Sequence, residues 1–152
     1  MKQAYIMQRK KFLPTLREIA RTYQEFCSYS ATHVRTLGLT PSQFDIIATL
    51  GNTSGMSCKE LCEKTLITKG TLTGVINRLE IKKIISRIPS PSDARSQIIQ
   101  LTKKGEVLFA SAFPAHIKHC DRIFTTISQP ELDKLTLDLQ KLRHAVIAAR
   151  VN

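Results

Sequence analysis

The sequence contains no tryptophan and few aromatic side chains, and it has no long apolar segment. The longest stretch without a charge covers residues 46–58 and includes Gly, Asn, Thr and Ser, so it is too short and too polar to cross a bilayer. Charges within residues 1–13 interrupt the apolar stretch that a signal peptide needs. These absences predict a cytoplasmic chain with no membrane partner, whose four cysteines stay reduced.

The sequence also lacks the motifs of common enzymes. It has no phosphate-binding loop, no Gly-x-Ser-x-Gly elbow and no dinucleotide fingerprint, and its 12 acidic residues are scattered. Cys58 and Cys62 have a spacing that metals use, but no histidine lies near them in the sequence. Cys27 falls on an apolar helical stripe, where a buried thiol is expected. We therefore expect no enzyme activity, no catalytic residues, no cofactor and no metal.

Positive charge is the most informative feature of what is present. Lysine and arginine number 23 against 12 acidic residues, a formal net charge of +11. Residues 1–35 carry seven basic and two acidic side chains and residues 59–104 carry ten and four, whereas residues 105–152 carry six and five. An excess of this size, gathered in two blocks, indicates a polyanionic partner, with nucleic acid first and an anionic membrane second.

Helical signals dominate the chain. Pro14 suits the first turn of a long helix that Gly38 ends. Five further helices are predicted from their N-terminal capping residues, which are Thr40, Ser57, Thr68, Thr102 and Ser128. The helix after Thr102 contains Pro114, where we expect a kink.

The periodicity becomes strand-like between two of these helices. Residues 84–88 and 97–101 are rich in β-branched side chains, and a polar Pro/Ser-rich loop at 89–96 joins them, which predicts a hairpin. The order of helices and hairpin predicts a mainly α fold with a small β-hairpin wing. This is a winged helix-turn-helix with N- and C-terminal dimerisation helices. The residues predicted for dimerisation are Leu16, Ile19, Leu132, Leu135, Leu139 and Leu142.

The helix that follows Thr68 carries the residues expected to read DNA. Its first turn offers backbone N–H groups and short hydroxyl and ammonium donors, which suit a phosphate, and Gly70 lets the backbone approach DNA closely. Asn77 suits adenine and Arg78 suits guanine. The predicted contacts from this helix are Thr68, Lys69, Gly70, Thr71, Thr73, Asn77 and Arg78.

The hairpin adds cations to the same predicted surface. Arg87 lies on the first strand, and Arg95 lies in the loop, where it suits a narrow minor groove. Asp93 is expected to orient Arg95 rather than to touch DNA. Together, the helix and the wing predict that double-stranded DNA is the partner.

Four segments of the chain resemble the MarR family of bacterial transcription regulators, and the first of them is the wing segment at 92–105. Ser-Asp-Ala-Arg at 92–95 and Leu-Thr-Lys-Lys-Gly at 101–105 resemble the family's wing signature, D-x-R followed by a strand and L-T-x-x-G. Segments 38–44, 68–73 and 77–80 fit the family in the same order, and the resemblance runs from about residue 12 to 145. It implies a homodimer that binds a pseudo-palindromic operator, with repression as the family's usual mode.

The resemblance also implies the organisation of the chain and a ligand. We expect one domain over residues 1–152, in which 1–37 and 105–152 are mainly dimerisation helices and 38–104 form the DNA-binding lobe. Many relatives release DNA when a small phenolic or lipophilic effector binds between these parts. Residues that suit such a pocket, or that are equally plain core, are Tyr23, Phe26, Phe44 and His116.

Two alternatives to a DNA-binding regulator stay open at this stage. Winged helices also serve in protein–protein or RNA contact, but such a module has no need of Lys69, Arg78, Arg87 and Arg95 along one edge. A membrane-surface protein would place basic residues opposite an exposed Trp, Phe or Leu face, and this chain has no Trp.

Overall fold

The computed structural model describes residues 11–65, 67–90 and 96–150. These ranges are mainly helical with a small sheet, so the predicted fold class is confirmed. The elements are α1 Leu13–Thr36, α2 Pro41–Leu50, β1 Met56–Ser57, α3 Cys58–Lys64, α4 Lys69–Ile81, β2 Ile85–Pro89, β3 Gln97–Leu101, α5 Lys103–Phe124 and α6 Gln129–Ala148.

Local capping sets the helix boundaries, as predicted. The Thr40 hydroxyl accepts from the Gln43 N–H at 3.2 Å, and the Gln43 side chain accepts from the Thr40 N–H at 3.1 Å. Equivalent boxes begin α3 at Ser57 and α6 at Ser128. Gly38 follows the end of α1 with a φ of 74°, a left-handed conformation that glycine adopts without strain. The predicted helix starts are therefore confirmed, and α5 continues through Pro114.

The sheet has three antiparallel strands in the order β1-β3-β2. β2 and β3 form the predicted hairpin, which is confirmed, and β1 is a third strand that the sequence did not predict. β1 pairs Met56 with Ile99 at the centre of β3. A two-residue strand carries no alternation that a sequence pattern could reveal. Gly55, with a φ of 96°, permits this pairing because a Cβ there would lie 2.7 Å from the Ile99 carbonyl oxygen.

One apolar core joins the helices to the sheet. α2 contributes Ile46, Ile47 and Leu50, and the sheet contributes Ile85 and Ile99, all at most 2% exposed. The other buried members of this cluster are Val34, Leu39, Met56, Leu61, Ile67, Leu72, Val75, Ile76, Leu79 and Ile84. Burial of this apolar surface is the main force that holds α4 and the sheet in place.

The chain divides after His116 into two compact units, and the assignment of a single domain stays a prediction. The first unit contains the core. The second contains the end of α5 and the whole of α6, in which no residue is buried. In the described ranges, no helix has both the length and the apolar character to cross a membrane.

The N-terminal half of α1 is largely exposed, which corrects one expectation. Leu16, Tyr23 and Phe26 are about half exposed, and Cys27 is exposed as well. The prediction that Cys27 is buried is therefore wrong for the single chain, because its stretch of α1 extends beyond the core that covers Val34. The apolar stripe itself remains, and it lies open on the surface of this chain.

Gly105 provides a test of how α5 joins the sheet. A Cβ at this position would lie 2.1 Å from the Ile84 carbonyl oxygen, a contact with rigid backbone. We expect Gly105→Ala to lower the free energy of unfolding by about 1–3 kcal/mol, because α5 must move away from the backbone of Ile84, directly before β2. Denaturant titration measures this change.

Gly74→Ala is the matched control, because its nearest neighbour is the Arg78 side chain at 3.8 Å. Alanine in the middle of α4 should keep or raise stability, since glycine is the weaker helix former. Equal stability of the two variants would contradict the close approach of α5 to Ile84.

Candidate nucleic-acid interface

A short helix, a turn and a second helix lie between residues 57 and 81. Glu60 accepts hydrogen bonds from the Ser57 backbone N–H and hydroxyl, both at 2.8 Å, and this begins α3. The Thr65 hydroxyl donates to the Leu61 carbonyl at 2.7 Å and closes its last turn. Leu61 and Ile67 are buried on either side of the turn. Core packing therefore fixes the angle at which α4 leaves α3, and this is the predicted helix-turn-helix.

α4 is divided along its length into an apolar face and a polar face. Its buried residues are Leu72, Val75, Ile76 and Leu79. The residues predicted to contact DNA lie on the rest of the helix surface and are all exposed: Thr68, Lys69, Gly70, Thr71, Thr73, Asn77 and Arg78. Amphipathic patterning alone thus turns every predicted contact of this helix toward solvent.

The first turn of α4 presents hydrogen-bond donors at the end of the helix. Thr68 is the N-cap, as predicted, but its hydroxyl donates to the Thr71 hydroxyl at 3.2 Å instead of accepting from the helix backbone. The first N–H groups of a helix have no partner within it. Lys69 adds an exposed cation at the same end. This end of α4 therefore suits an anion such as a phosphate.

Gly70 is not required by the packing of the protein itself. A Cβ built at this position meets no atom within 4 Å. Its backbone lies in the first turn of α4 and faces open space. The lack of a side chain therefore leaves room for another molecule rather than for a neighbouring element of the chain.

Arg87 connects β2 to the polar face of α4. Its guanidinium donates through Nη2 to the Asn77 side-chain oxygen at 2.5 Å and forms an ion pair through Nη1 with Glu80 at 2.7 Å. The Arg87 side chain is 26% exposed and that of Glu80 is 38% exposed. The structure thus brings together two residues predicted from the sequence, Asn77 and Arg87, and adds Glu80.

Two predicted contacts of the wing, Asp93 and Arg95, lie outside the described residues. The strands on either side of their loop are described. The Ser90 N–H donates to the Ser96 carbonyl at 3.0 Å, which closes the base of the loop.

The four residues proposed for a ligand pocket separate into two pairs. His116 is buried, and the Phe44 ring packs edge-on against it with 4.6 Å between ring centroids. Tyr23 and Phe26 are exposed on α1, and a hydrogen bond to Cys27 raises the pKa of Tyr23. The structure therefore joins Phe44 to His116 and leaves the other two on the open surface.

Sequence reasoning missed two partners of His116. Ser30 Oγ lies 3.1 Å from His116 Nε2, and His33 Nδ1 lies 3.0 Å from His116 Nδ1. No local pattern joins residues 83 positions apart. Glu80, also missed, does carry a signal, because its spacing from Asn77 places both on one helix face.

A metal site receives no support from the described ranges. In them, no group of three or more His, Cys, Asp or Glu side chains is arranged to hold a metal ion. Cys120 is half-buried, and burial raises the pKa of its thiol.

The residues predicted for dimerisation are open on the surface or partly so. Leu16, Leu135, Leu139 and Leu142 are exposed, between 39% and 55%, while Ile19 and Leu132 are half-buried. Exposed apolar residues at this spacing form a stripe along α6.

Comparison with known proteins agrees with this geometry. A family model described as the MarR family matches residues 37–96. The HTH-type transcriptional regulator MhqR of Bacillus subtilis is 27% identical over 124 residues, which cover 82% of this chain and 86% of that protein. The matched residues include α2, the helix-turn-helix and β2, and they end directly before β3.

Two solved structures share the fold. The transcriptional repressor CouR bound to a 23-mer DNA duplex has a TM-score of 0.71 and 26% identity, over 83% of this chain and 89% of that one. BpsR of Bordetella bronchiseptica, whose DNA binding is regulated by 6-hydroxynicotinic acid, has a TM-score of 0.75 and 23% identity, over 86% and 98%.

The cap of α3 makes its stability depend on pH. Hydrogen bonds from the Ser57 backbone and then from its hydroxyl lower the pKa of Glu60 below its ordinary 4.5. A carboxylate with a lowered pKa stabilises the fold above pH 4.5, and this contribution is lost as the pH falls through the lowered pKa. We expect the wild-type chain to melt above Glu60→Gln at pH 7 and the difference to shrink below pH 4.5. A difference in melting temperature that stays constant across this pH range would contradict the stabilisation of α3 by the ionised Glu60.

Proposed function

The chain belongs to the MarR family of winged helix-turn-helix transcription regulators, and on this premise we propose that it is a ligand-responsive repressor that binds a pseudo-palindromic operator as a homodimer. It is a DNA-binding regulator of transcription and not an enzyme. The observation that carries the proposal is the division of α4, which buries four apolar residues and turns its whole polar face to solvent.

α4 enters the major groove of the operator in this proposal. A helix fits that groove, and residues near its N-terminus reach base edges. Thr68, Lys69 and the first backbone N–H groups hold phosphate, while Thr71, Thr73, Asn77 and Arg78 face the bases. The wing supplies Arg95 to the adjacent minor groove, with Asp93 to orient it.

The homodimer is supported by the open apolar stripes. α6 repeats leucine at alternating steps of three and four residues, and α1 exposes Leu16. A stripe of this kind is unstable in water unless another helix covers it. A second copy of the chain supplies such a helix and also presents a second α4 to the other half of a palindrome.

Repression and ligand control are proposed from two structural neighbours, the transcriptional repressor CouR and BpsR, and from two side chains of this chain. The relative BpsR has its DNA binding regulated by 6-hydroxynicotinic acid, an aromatic acid. Phe44 and His116 offer this chain an aromatic ring and an imidazole in contact, which suits a small phenolic or aromatic effector.

Operator selection from genomic fragments, followed by footprinting, tests the proposal directly. We expect one protected site with two half-sites about 34 Å, or one DNA turn, apart. Insertion of half a turn between them should abolish tight binding. Equal affinity for all duplexes would contradict sequence-specific regulation.

Gly70→Ala should separate folding from DNA binding. A methyl group there enters open space, so stability should stay equal or rise by up to about 1 kcal/mol. The same methyl group stands between the α4 backbone and the DNA, and we expect operator affinity to fall about tenfold, which is about 1.4 kcal/mol. The salt dependence of binding should not change, because no charge is removed. Unchanged operator affinity would show that DNA does not approach this turn.

Leu139→Glu should convert the dimer to a monomer at micromolar concentration, because it places a charge within the apolar stripe of α6. Leu137→Glu is the matched control, since Leu137 is 64% exposed on the opposite side of the same helix. Sedimentation equilibrium measures both. Dimers of equal stability in the two variants would refute the assignment of α6 to the dimer interface.

A further inference from the structure

Arg87 bridges the side chains of Asn77 and Glu80. This Arg87 bridge determines which chemical groups Asn77 presents to DNA. A guanidinium only donates hydrogen bonds, so the Asn77 atom that faces it must be the amide oxygen. The Asn77 NH2 group is consequently the part of the amide that is directed away from Arg87. Asn77 is exposed on the polar face of α4, so this donor group is what an approaching base meets.

Adenine and guanine require different hydrogen-bonding groups from an asparagine. The major-groove edge of adenine offers an acceptor, N7, beside a donor, the N6 amino group, and bidentate reading uses both the oxygen and the NH2 of the amide. The edge of guanine offers two acceptors, N7 and O6. The Asn77 oxygen is directed toward Arg87, so the NH2 group is what the amide offers to a base. This group can donate to both acceptors of guanine but only to N7 of adenine.

Glu80 fixes the guanidinium in this arrangement. Its carboxylate is 2.7 Å from Nη1 while Asn77 occupies Nη2, so the two nitrogens have separate partners on one helix face. The pair also neutralises a carboxylate on the surface that meets phosphate. The Arg87 charge is therefore held by Glu80, a partner that the sequence analysis did not predict.

We propose that Arg87 is a specificity-determining residue that acts through Asn77 and makes it select guanine over adenine. The inference rests on the proposed binding of duplex DNA through α4. Arg87 is a positioning residue in this scheme and does not itself touch a base. It follows that the base preference at one position of each half-site depends on a residue of the wing.

The bridge is tested first without DNA. We expect the side-chain NH2 resonances of Asn77 to shift in Arg87→Ala and in Arg87→Lys relative to the wild-type chain. Lysine keeps the charge but lacks the fork that engages two acceptors at once. Partly exposed ion pairs add little stability, so both variants should melt near the wild type. Identical Asn77 resonances in all three proteins would overturn the proposal.

Selection from a randomised duplex library then gives a base-by-base affinity profile. The position read by residue 77 is the one whose preference disappears in Asn77→Ala. There we expect the wild type to favour guanine over adenine about tenfold, and both Arg87 variants to move the preference toward adenine by a similar factor. Arg78→Ala is the control. It removes an exposed cation from the same helix and should weaken binding while the preference at the Asn77 position stays unchanged.

The outcomes distinguish this inference from the proposed function. A wild-type chain that favours adenine at the Asn77 position, or Arg87 variants that leave the preference unmoved, would overturn the inference while regulation by sequence-specific binding stands. A wild-type chain with no preference among duplexes would overturn the proposed function and this inference with it.

Discussion

The burial of one face of α4 is the constraint on which the rest of the proposed DNA-binding surface depends. Four apolar side chains of this helix lie in the common core with α2, α3 and the sheet. Successive residues of a helix are about 100° apart around its axis. A rotation of α4 by that angle would therefore bury Asn77 or Arg78 and expose an apolar neighbour. The hydrophobic effect, which has no preference for DNA, therefore sets the direction in which the side chains proposed to read DNA point.

Features with local signals could be predicted from the sequence. The capping boxes at Thr40, Ser57 and Ser128 each involve residues three positions apart, so each helix start is specified by its own segment. The polar face of α4 followed from spacing in the same way. The hairpin of the wing and the leucine stripe of α6 also followed from local patterns, and the family resemblance added the operator and the effector.

Features that depend on distant pairing could not be predicted. β1 exists only because Met56 meets Ile99, and the contact of His33 with His116 joins helices far apart in the sequence. The Arg87 bridge spans ten residues and two element types, so the sequence predicted a DNA contact for Arg87 and not its contacts with Asn77 and Glu80. Cys27 was misplaced for a related reason, since a stripe on a helix does not say whether its own chain or another one covers it.

The close approach of Gly105 to Ile84 gives α5 a mechanical role within the first unit. The same helix carries His116, which contacts His33. At the helical rise per residue, His116 lies about 16 Å from Gly105 along the axis of α5. A molecule that displaces His116 therefore also displaces α5, and the N-terminal end of α5 packs against Ile84, directly before the strand that carries Arg87. Pro114 removes one backbone hydrogen bond from α5. The stiffness of the helical turn around Pro114 then sets how much of the displacement reaches the wing and how much bends α5 instead.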